Sequence, residues 1–208
     1  MTHSALFADL DATIVGIDVE QRHNVDIVMK KPYRVPLKSN SVDVVVSGQT
    51  FEHIPFFWAS MLEIGRVLKP GGIFILTVPS RGHPHTKVDC WRYYEDGVRA
   101  MAAFTGLKVR LASTDFPTKK EGEGRIYDLI SDVEVDGYWG DTVGVLEKPA
   151  SYPTRRMALV RGPVVWWANR ISKTFVSSEE LADRQRRRGK KRAKRQATQH
   201  GAASSRSG

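Results

Sequence analysis

The sequence predicts an α/β protein whose mostly parallel sheet is flanked by helices. Apolar, β-branched runs typical of buried strands recur at 13–19, 42–48 and 73–79. A segment between the last two carries apolar residues at three- and four-residue spacing, which is typical of an amphipathic helix. Strands that alternate with helices indicate βαβ units and therefore a sheet covered on both faces.

The elements follow in order along the chain. Short helices are predicted at 4–10 and at about 126–131, and longer ones at 56–68 and 95–105. Lys69 and Pro70 with two glycines end the first long helix, and Gly106 ends the second, because proline cannot continue a helix and glycine accepts a left-handed conformation. Strands are predicted at 13–19, 25–29, 42–48, 73–79, 107–113 and 142–148.

Charge is distributed unevenly along the 208 residues, whose formal net charge is +9. Residues 184–208 contain 10 Lys or Arg and no Asp or Glu, whereas residues 1–183 contain 22 basic and 23 acidic residues. The positive charge therefore belongs to the tail and does not indicate a nucleic-acid enzyme. The pattern predicts a main domain at 1–149, a helical extension at 150–182 and a basic disordered tail at 183–208.

Three further observations restrict the class of protein. Cys90 is the single cysteine, which excludes an internal disulfide and a zinc site built from several cysteines. No apolar run approaches the roughly 18 residues that a membrane span needs. The N-terminal residues do not have the pattern of a signal peptide, since acidic residues interrupt them. We expect a cytoplasmic protein.

Four segments together carry a resemblance to a known family. They are VGIDVE at 15–20, SVDVVVSGQTFEHI at 41–54, LEIGRVLKPGGIFILTVP at 62–79 and YYEDGVRAMAAFTGLKV at 93–109. In this order and spacing they resemble the Rossmann-like class I S-adenosylmethionine-dependent methyltransferases, especially the group that acts on small molecules. The resemblance implies S-adenosyl-L-methionine as the cofactor and a small-molecule methyl acceptor.

The resemblance also implies a cofactor site at the carboxyl ends of the strands. Asp18 matches the acidic residue that accepts hydrogen bonds from the cofactor ribose, and Glu20 lies close behind it. A carboxylate suits this role because it only accepts hydrogen bonds and a ribose diol offers two donors. Ser47 and Gln49 begin the loop that lines the cofactor in this family.

Glu52 and His53 continue the same loop toward the substrate. His53 is the best general-base candidate, because imidazole titrates near neutral pH. The alternative is a histidine that packs at the start of a helix. Methyl transfer from a sulfonium needs little acid–base chemistry, and positioning of the acceptor supplies most of the effect. Glu52 is predicted to contact the substrate.

The loop at 80–93 is rich in functional side chains and leaves a strand on the substrate side. His83, His85, Asp89, Trp91 and Arg92 are predicted to contact substrate, with Arg92 holding an anionic acceptor by charge-assisted hydrogen bonds. A packed structural loop is the alternative. The spacing of His83, His85 and Asp89 matches no defined metal site, and no metal ion is expected.

The family's first strand and its glycine-rich turn have no counterpart in this sequence. That strand lies between the second and fourth strands of the family's sheet, and its turn holds the methionine end of the cofactor. Either the true start lies upstream of Met1, or the chain is a truncated, inactive relative. We expect the first, and an in-frame strand with a glycine-rich turn in the upstream DNA would support it.

The C-terminal extension permits two interpretations. Apolar residues at helical spacing within 155–176, with Trp166 and Trp167 beside basic residues, fit a helix docked on the domain or one lying on anionic lipid. We favour docking. The tail has nine Lys or Arg within 184–195, which predicts weak contact with nucleic acid or anionic lipid.

The sequence therefore predicts a methyltransferase acting on a small molecule. Two alternatives stay open at this point. One is a non-catalytic methyltransferase-like binding protein, and the other is an RNA-directed methyltransferase recruited by the basic tail.

Overall fold

The computed structural model describes residues 11–115, 139–177, 180 and 186–187. The predicted helices at 4–10 and about 126–131 lie outside this part, as does the predicted basic tail apart from 186–187. The strands are β1 (Ile17–Asp18), β2 (Ile27–Val28), β3 (Val42–Gly48), β4 (Leu68–Arg81), β5 (Lys108–Thr114) and β6 (Gly140–Glu147). The α-helices are α1 (Phe57–Val67), α2 (Glu95–Thr105) and α3 (Thr154–Ile171).

The strands form two hydrogen-bonded sheets. One has the order β3-β4-β6-β5, with β3 parallel to β4 and β6 antiparallel to both of its neighbours. The other contains β1 and β2, which are parallel and shorter than predicted. The α/β class is confirmed. The larger sheet contains more antiparallel pairing than predicted. An apolar pattern indicates a strand but does not specify the direction of that strand.

The predicted turn at Lys69–Gly72 is a bulge within β4. Val42 pairs with Leu68 and Val44 pairs with Ile73, so the residues between them project out of the ladder. Gly71 has a φ of 81°, a left-handed conformation that favours glycine. Hydrogen bonds of 2.7 and 2.9 Å join this bulge to the backbone of Lys148, just after β6. The bulge therefore fixes the start of β4 against both neighbouring strands.

The main core lies between the larger sheet and the helices α1 and α2. The sheet contributes buried apolar side chains, and the two helices contribute a matching apolar face. Gly106, with a φ of 72°, ends α2 as predicted and turns the chain into β5. The fully or almost fully buried members include Met61, Phe74, Leu76, Val98, Met101 and Leu146.

Helix α3 docks on α1, as the sequence analysis favoured. Val165 and Ala168 pack with Ala59 of α1 and with Tyr33, which follows β2. Asn169 accepts a hydrogen bond of 3.1 Å from the Tyr33 backbone N–H. The helix therefore covers the outer side of α1 and ties the segment after β2 to the domain.

A buried carboxylate strengthens this docking. Glu63 of α1 accepts hydrogen bonds from Arg66 of the same helix, from Arg161 of α3 and from the backbone N–H of Val35. Burial opposes ionisation of Glu63, but the two arginines outweigh that effect and hold the pKa of Glu63 below its ordinary value. One ionised side chain thus joins three segments of the fold.

The opposite side of α3 faces solvent. Leu159, Trp166 and Trp167 are exposed there, beside Arg170, whose guanidinium lies 5.8 Å from the centre of a Trp166 ring. None of the helices in the described part of the chain is long and apolar enough to span a bilayer.

Candidate functional site

The chain leaves β3 through a tight turn that begins the candidate site. Ser47 is half-buried within the strand, and Gln49 adopts a left-handed φ of 48° just beyond it. The Gln49 N–H donates to the Thr77 carbonyl at 2.9 Å, and the Thr50 hydroxyl donates to the Gly48 carbonyl at 3.0 Å. These bonds stop the strand and start a 3₁₀ turn at Phe51–His53.

Glu52 lies at the centre of the site and is fully buried, with 0% of its surface exposed. Neither of its carboxylate oxygens has a hydrogen-bond partner among the described residues. Burial raises the pKa of Glu52 above its ordinary value, because a charge in an apolar interior is poorly solvated. The substrate contact predicted for Glu52 requires an exposed carboxylate, so this position does not support it.

His53 is oriented by the loop that follows β4. Its Nδ1 lies 2.6 Å from the Val88 carbonyl and 3.1 Å from the Thr86 hydroxyl, which itself donates to that carbonyl. Since a carbonyl only accepts, the proton resides on Nδ1. The other ring nitrogen, Nε2, lies 3.4 Å from Oε1 of Glu52. The only nitrogen of His53 that is free to act as a base therefore faces a buried carboxylate.

His85 comes from the same loop and meets His53 from the other side. The two imidazole rings lie edge to face with their centres 5.1 Å apart. Nδ1 of His85 lies 3.0 Å from the Asp89 carboxylate, and the backbone N–H of His85 donates to the same oxygen at 3.0 Å. His85 is thus fixed in orientation by Asp89, although the residue itself is exposed.

Asp89 and Arg92 form a structural clamp inside the loop. The Arg92 guanidinium donates to both carboxylate oxygens of Asp89 and to the carbonyls of Gly82, His83 and Trp91. Burial opposes ionisation of Asp89, but the bonds from Arg92 and His85 outweigh it and lower the pKa of Asp89. Because all five guanidinium N–H groups already have acceptors, the prediction that Arg92 holds an anionic substrate is corrected to a structural role.

Aromatic side chains complete the wall of the site. The indole N–H of Trp91 donates to the Ile54 carbonyl at 3.1 Å, and the Tyr93 hydroxyl donates to the Phe51 carbonyl at 3.2 Å. Burial raises the pKa of Tyr93 well above its ordinary value, so the phenol stays neutral. The ring of His83 packs 4.6 Å from that of Trp139. An open depression of about 550 Å³ runs along residues 83–87, which include His85.

Asp18 and Glu20 lie at the end of β1, in the smaller sheet. Oδ1 of Asp18 accepts hydrogen bonds from the next two backbone N–H groups, at 2.5 and 3.2 Å, while Oδ2 has a 4.0 Å contact with Arg22. Arg22 also donates to Glu20 at 2.9 Å. The carboxylate of Asp18 is half-exposed, so Oδ2 retains room to accept a further hydrogen bond.

The structure therefore joins two groups of predicted residues that the sequence treated separately. Glu52 and His53 from the loop after β3 meet His85 and Asp89 from the loop after β4. Sequence reasoning missed Thr86 and the Val88 carbonyl, which orient His53. A backbone carbonyl has no sequence signature, and the short polar run around Thr86 resembles any loop.

Together these features define an α/β domain with polar side chains gathered where β3 and β4 end, and with two further carboxylates at the end of β1 in the smaller sheet. The family described as "Methyltransferase domain" matches residues 3–76, which include β1, β2, β3, α1 and the first part of β4. Six of the predicted site residues fall within the matched range: Asp18, Glu20, Ser47, Gln49, Glu52 and His53.

Curated relatives match the same region. A "Probable S-adenosylmethionine-dependent methyltransferase" of Mycolicibacterium smegmatis is 34% identical over 85 residues, covering 36% of this chain and 33% of the relative. The demethylmenaquinone methyltransferase of Staphylococcus saprophyticus is 29% identical over 72 residues, covering 35% and 31%. The chain thus spans about a third of the length of the curated relatives it matches.

A solved structure extends the likeness of the fold. The crystal structure of the cyclase SpnF is 16% identical, has a TM-score of 0.51 and covers 70% of each chain. At this identity the similarity concerns the fold alone. SpnF is described as a cyclase, so a shared fold does not by itself determine the reaction. These matches confirm the resemblance of residues 3–76 to the class I S-adenosylmethionine-dependent methyltransferases and support S-adenosyl-L-methionine as the predicted cofactor.

Proposed function

We propose that this chain binds S-adenosyl-L-methionine and transfers its methyl group to a small-molecule acceptor. The observation that carries the proposal is the family match over residues 3–76, which spans the ends of β1 and β3 together with their polar side chains. Ligands of α/β sheets bind at the carboxyl ends of parallel strands, and these ends carry Asp18 and the turn at Gln49. S-Adenosylmethionine supplies an electrophilic methyl group on a sulfonium.

The residues at the end of β1 fit the ribose of this cofactor. Oδ1 of Asp18 is occupied by the backbone, and this fixes the orientation of the carboxylate. This orientation leaves Oδ2 available to accept a hydrogen bond from a ribose hydroxyl. Glu20 is exposed beside it and adds a second acceptor. Ser47 and Gln49 line the same cofactor from the end of β3.

The loop at 82–93, which follows β4, forms the acceptor side of the proposed site. Its backbone is held by the clamp between Asp89 and Arg92, so the loop presents a defined surface without ordering on binding. Preorganisation of this kind places an acceptor in line with the methyl group, and positioning supplies most of the rate enhancement. His83, His85 and Trp91 are the members that contact the acceptor in this proposal.

Calorimetric titration of the chain with S-adenosylmethionine and with S-adenosylhomocysteine tests the proposal. We expect binding of both, and Asp18→Ala should weaken it by about tenfold or more, because a hydrogen bond to a charged acceptor contributes roughly 1.5–3 kcal/mol. Asp43→Asn is the control, since Asp43 is an exposed carboxylate at the start of β3. Absence of binding, or equal binding by Asp18→Ala and the parent chain, would refute the cofactor site.

The same titration separates the proposal from its first alternative. A truncated, methyltransferase-like binding protein that lacks a complete cofactor site would bind neither the cofactor nor its product. The RNA-directed alternative, and contact of 184–195 with nucleic acid or anionic lipid, rest on residues outside the described part apart from 186–187. They stay predictions, and deletion of 184–208 followed by RNA binding at several salt concentrations tests them.

A further inference from the structure

Three ligand-type side chains converge at the centre of the site. One donor atom each from Glu52, His53 and His85 lies within 4.8 Å of the others. Glu52 is fully buried, and both of its oxygens lack a hydrogen-bond partner among the residues described. A buried carboxylate without partners is costly, so this arrangement requires an explanation.

The hydrogen bonds of the two histidines point to that explanation. In each ring Nδ1 faces an acceptor, the Val88 carbonyl for His53 and the Asp89 carboxylate for His85. Each ring therefore carries its proton on Nδ1 and keeps the lone pair of Nε2 available. For His53 that nitrogen faces Glu52 at 3.4 Å, a contact without hydrogen-bond geometry. A cation between them would satisfy the lone pairs and the carboxylate together.

The surroundings of the histidines match those of metal ligands. A histidine that binds a metal almost always donates its other N–H to a carboxylate or a carbonyl, which fixes the ring and raises its basicity. His85 donates to Asp89, which Arg92 holds from the other side, and His53 donates to Val88. Both orienting contacts exist in the fold without any metal.

We propose that Glu52, His53 and His85 form a binding site for one divalent transition-metal ion. Two imidazoles with one carboxylate favour Zn²⁺, Fe²⁺, Co²⁺ or Mn²⁺ over Mg²⁺ and Ca²⁺, which prefer oxygen ligands. Three protein ligands leave at least one coordination position open, as in catalytic rather than structural sites. His85 is exposed and borders the open depression along 83–87, which gives the ion a path of entry.

The proposed metal site also restricts the chemical class of the methyl acceptor, and this inference rests on the proposed function. The three ligands belong to the loops after β3 and β4, on the acceptor side of the proposed cofactor site. An oxygen ligand is the natural occupant of the open position of such an ion. A small molecule with a hydroxyl group, such as a phenol or a polyol, is therefore the acceptor class that this site would take.

Titration of the metal-free chain with Co²⁺ tests the site directly, because tetrahedral and five-coordinate Co²⁺ absorb strongly in the visible range. We expect saturation at one ion per chain, competition by Zn²⁺, and elemental analysis that gives the same ratio. His85→Asn and Glu52→Gln should each weaken binding at least tenfold. His83→Asn is the matched control, since His83 lies in the same loop outside the cluster, and its affinity should equal that of the parent chain.

Two results would overturn the proposal: no saturable binding, or equal affinity in His85→Asn, His83→Asn and the parent chain. His85 is exposed, so its substitution remains decisive if Glu52→Gln fails to fold. Calorimetry with S-adenosylmethionine on the same samples keeps the two proposals apart. Cofactor binding without Co²⁺ binding refutes the metal site alone, whereas Co²⁺ binding without cofactor binding refutes the proposed function and leaves the metal site standing.

Discussion

Substitution of Glu63 by alanine should destabilise the fold more than any surface change. Glu63 is 0% exposed, and its partners Arg66 and Arg161 are only 11% and 21% exposed on their side chains. Its oxygens accept bonds of 2.9 and 2.6 Å from Arg66, 2.9 Å from Arg161 and 3.1 Å from the Val35 N–H. Removal of the carboxylate leaves two poorly solvated guanidinium groups without their counter-charge.

The expected loss in the free energy of unfolding is about 3–5 kcal/mol, the cost of removing one partner from a buried ion pair. Urea unfolding followed by circular dichroism measures it, with the midpoint shifting and the slope unchanged. Asp43→Asn is the control, because Asp43 pairs with Lys69 on the surface at 2.8 Å and such pairs contribute about 0–1 kcal/mol. Arg161→Ala, which removes one bond, should fall between the two.

A loss in Glu63→Ala no larger than that in Asp43→Asn would refute this reasoning. It would mean that water reaches the Glu63 cluster, and that α3 is held on α1 by its apolar contacts alone.

Three further predictions concern stability. The difference in unfolding free energy between the parent chain and Glu63→Ala should have its full size above pH 4.5, the ordinary pKa of a glutamate. It should decrease as the pH falls through the lowered pKa of Glu63 in the native state. A difference that stays constant in urea titrations at acid pH would contradict the charge assigned to Glu63. Gly144→Ala should cost about 1–3 kcal/mol, because a Cβ there would lie 2.8 Å from a methyl of buried Val98; thermal unfolding measures the loss, and an unchanged midpoint would argue against the packing of β6 on α2. Tyr93→Phe should cost about 1–3 kcal/mol by leaving the Phe51 carbonyl unpaired, and an unchanged urea midpoint would show that water replaces the hydroxyl.

Much of the fold could be predicted because its signals are local. The valines of β3, the apolar spacing of α1 and α2, and the glycine that ends α2 each follow from residues close in sequence. The register shift between the Val42–Leu68 and Val44–Ile73 pairs and the antiparallel insertion of β6 could not be predicted. Both depend on which strands pair across long loops, and that choice is made by packing of the whole sheet.

The candidate site shows the same division. Residue type predicts functional roles for His53 and His85, but in separate loops with separate roles. Arg92 was assigned to an anionic substrate because a free guanidinium suits one, and the structure instead occupies all of its donors within the loop. The residue type defines the chemistry available to a side chain. Its hydrogen-bond partners in the fold determine which of its donors and acceptors remain available to a ligand.

By itself the sequence determined the α/β class, the order of the described elements and the resemblance to a family, since periodicity and short motifs survive without tertiary contacts. Only the tertiary structure decided that Glu52, His53 and His85 share one centre, and that Glu63 joins α3 to the domain. The physical reason is that burial and unmet hydrogen-bonding capacity are properties of the folded chain. They arise from residues separated by 32 to 98 positions in the sequence, whose approach no local pattern encodes.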